Sequence, residues 1–456
     1  MAKVDSAVLE SLRTGFSGQL LEEDSPGYED ARRVHNGMID RRPGLIARCE
    51  GAADIIDAVR FGVANGLEIS VRGGGHNVAG SAVCEGGLMI DLAPMKGVTV
   101  DPARRTAIAQ PGVTWGLFNR ETQLHGLATT GGVVSSTGVA GLTLGGGIGW
   151  LMGRYGLVVD NLLGAEIVTA SGDRLKANAN ENADLFWAIR GGGGNFGIVS
   201  SFEFALHPVG PMIVGGLVAY PMAEAREVLR FFREFTSTAP DELTGFAGLL
   251  YAPDGSGAPI VAMVVCHCGP TDEAEKAVRP IREFGSPILS AIEPIPYTVM
   301  NTLLDAANPR GALNYWKTSF LDELSDEAID AAIEEFRSSP SMMDALLFEH
   351  FHGAATRVGE TETAFPHRRT GYNFLAAAQW LDATETSKNV EWARGAYAGM
   401  QPYMAKGGYV NYLGEGEARD VVAAAFGANY PRLQAVKQKY DPENVFHLNQ
   451  NIVPKG

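Results

Sequence analysis

Glycine constrains this chain most: 56 of its 456 residues are glycine, and they cluster. Gly73-Gly74-Gly75, Gly145-Gly146-Gly147 and Gly191-Gly192-Gly193-Gly194 all fall in the first 200 residues. Ordering glycine costs backbone entropy, so a cluster marks a turn or a place where backbone must approach something closely. Three clusters in one half of a chain point to a ligand bed. Residues 68–72 read as a short strand that runs straight into Gly73-Gly74-Gly75-His76-Asn77. Successive N–H groups without side chains form a concave anion site. No Lys-Ser/Thr follows, so the loop is not a Walker motif. Gly145-x-Gly147-x-Gly149 lacks the spacing and the preceding strand of a dinucleotide fingerprint. On spacing alone, phosphate binding and plain tight turns both stay open. His76 can come close to a ligand, and a neutral imidazole is a nucleophile near physiological pH. A surface hydrogen bonder is the competing reading of that residue.

Length favours two domains over one core. A hydrophobic share of 45% with 20% charged residues is that of a folded globular protein. No apolar run is as long as a membrane span. The first twenty residues mix Lys3, Asp5, Glu10 and Arg13 with apolar residues, unlike a secretion signal, so the expected location is cytoplasmic. The net charge of −16 argues against nucleic acid as a partner. The four cysteines, Cys49, Cys84, Cys266 and Cys268, form no Cys-x-x-Cys pair. Cys266 and Cys268 alternate onto one face of an apolar run, and buried thiols are a better account of them than a metal site.

Residues 52–65 have helical periodicity, with Ile55, Ile56, Val59 and Val63 on one face and Gly66 as the stop. Short strands are expected at 88–92, 98–100 and 105–110, and a helix at 114–125. This is an α+β pattern, not a βαβ series. Beyond His207-Pro208 the glycine clusters vanish. Longer alternations appear at 213–219 and 246–251, with helical patterns at 223–235 and 326–337. The expected layout is a first domain over 1–207, a second over 208–414, and a segment 415–456 that returns to the first.

The run RGGGHNVAG, residues 72–80, resembles the flavin-attachment loop of the berberine-bridge-enzyme-like FAD oxidases, within the vanillyl-alcohol-oxidase and p-cresol-methylhydroxylase superfamily. The likeness continues through Gly131-Gly132, GVAGLTLGGGIG at 138–149, Arg154-Tyr155-Gly156-Leu157 and Asp160-Asn161. It includes DLFWAIRGGGGNFGIV at 184–199, Phe365-Pro366-His367-Arg368, Tyr409-Val410-Asn411-Tyr412 and DPENVF at 441–446. It spans nearly the whole chain in order. The resemblance implies a two-domain PCMH-type fold whose substrate domain is an antiparallel sheet flanked by helices. It implies FAD bound through its 8α-methyl carbon to His76. The cofactor bed would comprise Arg72, Gly73, Gly74, Gly75, His76 and Asn77, then Thr129, Gly138, Gly141, Gly145, Gly146 and Gly149, with Val199 at the adenine end. The implied activity is oxidation of a small organic molecule, an alcohol, amine or secondary metabolite, with oxygen as the expected electron acceptor. An oxidative cyclase and a non-catalytic flavin carrier are the alternatives.

Many members attach the flavin a second time through a cysteine. Val134 stands at that position here, so no second link is expected. Flavin oxidation also needs a group to take the proton from O–H or N–H. By resemblance that group is Tyr412, with Tyr155 as a second catalytic tyrosine and Tyr409 and Asn411 on the flavin side; alternation pairs the last two if the segment is extended. To act as a base, Tyr412 would need its pKa depressed by a neighbouring cation or by the flavin environment. Along 371–380 the inward positions are Asn373, Leu375 and Ala377, with no lysine or carboxylate, which leans toward a neutral or aromatic substrate. His350 and His352 alternate onto one face and are candidates to line the substrate cavity.

Overall fold

The computed structural model describes residues 6–414 and 416–455. Lys3 and Asp5 of the N-terminal reading, and Glu415 and Gly456 of the expected C-terminal segment, lie outside the described residues.

Three larger sheets, beside a two-stranded pair of His207–Pro208 with Leu127–Ala128, carry an α+β architecture. The first has four strands in the order Gln19–Leu21, Leu45–Arg48, Leu88–Asp91, Ile69–Arg72, the last three mutually parallel. The helix Ala52–Ala64 packs Ile55, Ala58 and Val59 against this sheet, fully buried among Leu45, Leu88 and Ile90. It stops at Gly66, whose φ of 61° is a conformation that favours glycine. Val63, expected on the buried face, is 44% exposed because the helix ends there.

The second sheet is antiparallel, in the order Val98–Asp101, Thr106–Ala109, Ile198–Ala205, Leu162–Val168, Arg174–Asn178. Its core, Trp115, Phe118, Phe202 and Phe204, also takes in Val422, Phe426, Leu433 and Val436 from the helices Arg419–Phe426 and Tyr430–Tyr440. The end of the chain is therefore folded back onto its first half.

The third sheet has seven antiparallel strands in the order Leu289–Pro296, Met212–Pro221, Pro259–His267, Leu243–Tyr251, Ala345–Phe351, Gly371–Trp380, Leu313–Leu321. Successive side chains on a strand point to opposite faces. One face carries Leu249, Leu346, Phe348 and Phe374 into a core with the helices Ala225–Ser237, Asp326–Arg337 and Thr386–Met400. The other face places Phe246, Phe320 and Phe351 against Trp150, Leu151 and Tyr409 from the first half of the chain and its later loop. Cys266 and Cys268 are buried in that second cluster as free thiols. Among the described residues no helix is long and apolar enough to cross a membrane.

Candidate active site

The glycine loop leaves the strand Ile69–Arg72 at the carboxyl edge of the parallel strands. Arg72 fixes that exit. Its guanidinium makes two bonds to the fully buried Asp91 carboxylate, at 2.8 and 2.7 Å, and also donates to the Ala31 and Arg33 carbonyls. Arg72 was expected in the cofactor bed. It lines the cavity beside Gly74 and His76, and its guanidinium, bonded to Asp91, also braces the loop. Gly73 and Gly74 are required by close approach: a Cβ on Gly74 would lie 2.6 Å from the Gly138 backbone, and one on Gly73 2.8 Å from the Pro111 carbonyl. Gly75 has φ 65° and accepts the His35 N–H at 2.8 Å. A cavity of about 460 Å³ borders the loop at Gly74 and His76, and Lys96, Arg310 and Ser136 are among its lining residues.

His76 lies half-buried at the end of this loop. Its Nε2 is 3.3 Å from Ser136 Oγ, and its ring stacks on His35. Burial, and then the neighbouring His35, push its pKa down to about 3, so the imidazole is neutral at physiological pH. Asn77 Nδ2 donates to the Asn411 carbonyl at 3.1 Å, which ties the glycine loop to the 409–412 segment.

That segment is not extended. Val410–Tyr412 is a 3-10 turn, with the Tyr412 N–H donating to the Tyr409 carbonyl at 2.9 Å. Alternation therefore does not apply, but Tyr409 and Asn411 still meet: Asn411 Nδ2 donates to Tyr409 Oη at 2.8 Å. Tyr409 is fully buried, and its Oη accepts the N–H groups of Gly147 and Ile148 at 3.0 and 3.3 Å. Asn411 presses so close on Gly145 that a Cβ there would come within 2.1 Å of its Oδ1. Gly146, at φ 121°, would drive a Cβ into Phe365, and one on Gly149 would strike the Gly131 carbonyl. Gly138 is the N-cap of the helix Val139–Leu144. Gly141 differs from the other expected glycines, because a Cβ there would meet nothing within 4 Å. Val199 is buried in the strand Ile198–Ala205. Thr129 is buried with its Oγ1 unpartnered.

Tyr412 meets a carboxylate. Its Oη donates to Glu349 Oε1 at 3.0 Å, and Asn373 Nδ2 donates to Glu349 Oε2 at 2.7 Å. Thr318 Oγ1 in turn donates to Asn373 Oδ1 at 3.0 Å. Cross-strand register makes this cluster, since Asn373 pairs with both Glu349 and Phe320. Trp316 sits edge-on to Tyr412, ring centroids 5.4 Å apart. Glu349 is 3% exposed, and burial raises its pKa to about 7 against the opposing bonds from Asn373 and Tyr412. Burial, followed by the Glu349 charge, pushes Tyr412 well above 10. Of the two influences expected to lower the Tyr412 pKa, a neighbouring cation or the flavin environment, the first is not supplied: the protein side-chain partner is an acid and not a cation. Tyr412 stays protonated, and Glu349 is the group poised to accept a proton near neutral pH. Nothing local in the sequence marks Glu349: its partners Asn373 and Tyr412 lie on other segments that the fold brings beside it, and His350 and His352 have the opposite parity on its strand.

Those histidines are not in the site. His350 points to the helix-covered face, beside Tyr372, which itself packs on Phe232 and bonds Thr236. His350 stacks on His352 at 4.7 Å, and His352 Nε2 bonds the Leu243 carbonyl. Alternation does put the pair on one side, but that is the side away from Tyr412. Leu375 does share the face of Asn373 and Glu349. Tyr155 stands apart from the carboxylate cluster: its ring stacks on His207 at 4.0 Å and its hydroxyl donates to the Pro208 carbonyl at 3.4 Å. Val134 is buried, and the four free cysteines lie elsewhere.

The site thus has a glycine cradle with close backbone approach, a buried hydroxyl without a partner, a neutral imidazole at its rim, and a buried proton acceptor beyond. These features suit a large anionic cofactor such as FAD. Comparison with known proteins agrees. A family model described as an FAD binding domain matches residues 43–178, and one described as berberine and berberine like matches residues 408–453. The chain is 32% identical to the (R)-6-hydroxynicotine oxidase of Paenarthrobacter nicotinovorans, over 97% of this chain and 98% of that one. Its fold matches the crystal structure of 6-hydroxy-D-nicotine oxidase from Arthrobacter nicotinovorans with TM-score 0.89 and 31% identity, covering 96% and 98% of the two chains. It also matches the glucooligosaccharide oxidase of Acremonium strictum, which carries a 6-S-cysteinyl, 8α-N1-histidyl FAD, with TM-score 0.87 and 27% identity over 98% and 99%.

Proposed function

The chain belongs to the berberine-bridge-enzyme-like FAD-linked oxidoreductases, and on that premise we propose that it oxidises a small organic substrate using an FAD bound covalently to His76, with Glu349 taking the substrate proton through Tyr412. The observation that carries this reading is the part-buried Tyr412–Glu349 bond of 3.0 Å. A general base works best with a pKa near the operating pH, and Glu349 at about 7 meets that condition.

The residues that would hold the cofactor are the cradle of Gly73, Gly74, Gly75 and Asn77, the backbone around Gly145 and Gly146, Thr129 through its unpartnered hydroxyl, and His76 as the anchor. When bound, FAD supplies a two-electron acceptor for hydride. The protein supplies the proton path. A substrate O–H or N–H placed at Tyr412 Oη gives up its proton there as Tyr412 passes its own to Glu349 Oε1. Asn373 holds the second carboxylate oxygen and so fixes the direction of transfer. Tyr409, pinned by two backbone N–H groups, fixes the turn that presents Tyr412.

The sheet face around Glu349 favours a substrate with an apolar body. Its neighbours on that face include Leu347, Leu375, Ala377, Gly248 and Trp316, none of them charged. A single carboxylate amid such residues suits a molecule with one reacting O–H or N–H better than a sugar, which needs many hydrogen-bond partners. The division into 1–207, 208–414 and 415–456 is part of this reading; it is supported by the site's position between the glycine loops and the seven-stranded sheet.

The test is an anaerobic screen of the purified protein against apolar alcohols, amines and phenols, following flavin bleaching, and then admission of air with peroxide measured. Bleaching by one of these classes, with peroxide on aeration, is the expected result. A flavin that none of them reduces would make the protein a carrier. A product with a new ring bond would make it a cyclase. A reduced flavin that stays bleached in air would remove oxygen as the acceptor.

A further inference from the structure

The environment of His76 contains a second histidine with no part in the chemistry above. His35 lies between the helix Tyr28–Arg32 and the strand Leu45–Arg48. Its backbone is tied at both ends: its N–H donates to the Gly75 carbonyl at 2.8 Å, and its carbonyl accepts the Gly311 N–H at 2.9 Å. One residue thus joins the glycine loop to the segment leading into the strand Leu313–Leu321. Its side chain is 5% exposed and lies flat against His76, ring centroids 3.9 Å apart and planes 18° apart. On another side, Ser136 Oγ stands 3.3 Å from His76 Nε2. The His76 ring is therefore held on its face and at one nitrogen. His35 Nε2 is buried and has no partner, so the described contact made by this side chain is the flat of its ring.

We propose that His35 is a positioning residue for covalent attachment of the cofactor, its ring stacked on His76 so that the imidazole is frozen for C–N bond formation. This rests on the reading of His76 as the anchor. Attachment joins a His76 ring nitrogen to the 8α carbon. One hydrogen leaves that carbon and one leaves the imidazole N–H, and with the two electrons released they reduce dioxygen to hydrogen peroxide. Orientation contributes to the rate of such a reaction, because a free histidine samples several rotamers and only a held one spends its time aligned. The stack removes that freedom in advance. Burial also lowers the pKa of His35 to about 4, with Arg310 adding to the effect, so the His35 ring adds no charge against a neutral His76 at physiological pH.

The experiment compares the full-length wild-type protein with His35→Ala, His35→Phe and His76→Ala. Two quantities are read for each: total flavin per chain, and flavin that stays with the chain after acid precipitation, followed over time with added FAD. The expected result is that His35→Ala binds total flavin like wild type but attaches it about 10²-fold more slowly, the usual scale for lost alignment. His35→Phe, which keeps a flat ring in the stack, restores attachment. Wild-type attachment in His35→Ala would overturn the proposal, and so would failure of His35→Phe to restore it. A parallel fall of total and acid-stable flavin in both variants would assign His35 to folding alone and also overturn it. Acid-stable flavin retained by His76→Ala would instead overturn the anchor reading itself.

Discussion

Replacing Glu349 by Gln should separate stability from activity in this protein. The carboxyl sits at about 7 against an ordinary 4.5, chiefly because burial penalises its charge. At ~1.4 kcal/mol per pKa unit, holding the ionised form inside costs roughly 3 kcal/mol once the pH is above 7. The sign follows from proton binding. The folded state binds this proton more tightly than the unfolded state, so its stabilising contribution is complete below about pH 4.5 and is lost as the pH rises through about 7. Glutamine keeps the shape and can still bond Tyr412 and Asn373, but never ionises. The variant should therefore unfold like wild type near pH 4 and gain up to about 3 kcal/mol by about pH 8, measured by denaturant unfolding at a series of pH values. Flavin reduction should move the other way, slowing by ~10²–10⁴-fold. Wild-type kcat/KM should rise with pH through an apparent pKa near 7 that belongs to the Glu349–Tyr412 pair, and the variant should lose that rise. Parallel stability curves at all pH values, or reduction at the wild-type rate, would refute the reasoning.

Other substitutions extend the same account. Tyr412→Phe breaks the relay to Glu349 and should slow anaerobic flavin reduction by ~10²-fold with little change in how much flavin is bound. His350→Phe and His352→Phe alter the far face of the sheet, so stopped-flow reduction should match wild type; a hundredfold loss would return these residues to the site. Tyr409→Phe leaves the Gly147 and Ile148 N–H groups without their buried acceptor, which should cost about 1–3 kcal/mol in denaturant unfolding.

What the sequence disclosed depended on how local each feature was. The helix Ala52–Ala64 and its glycine stop, the strand into Gly73, and the helix Asp326–Arg337 follow from periodicity and caps within a few residues. Asn373 and Leu375 could be assigned inward from a single strand. Glu349 could not, because its partner Asn373 lies on another strand and the register between them is fixed by the whole sheet. A one-residue change of that register would have put His350 in its place. The Glu349 partner of Tyr412 is hidden for a related reason: it is 63 residues away, and a tyrosine's acidity is set by what folding brings beside it. Arg72 lines the cavity at the glycine loop, but its bracing by Asp91 is legible only once the adjacent parallel strand is paired with its own.

The most direct measurement is mass analysis of a proteolytic digest of the acid-denatured yellow protein. The predicted result is one peptide, containing His76, that carries the mass of FAD, with the peptide containing Val134 unmodified. Flavin released from the chain by acid, or found on any residue other than His76, would contradict it.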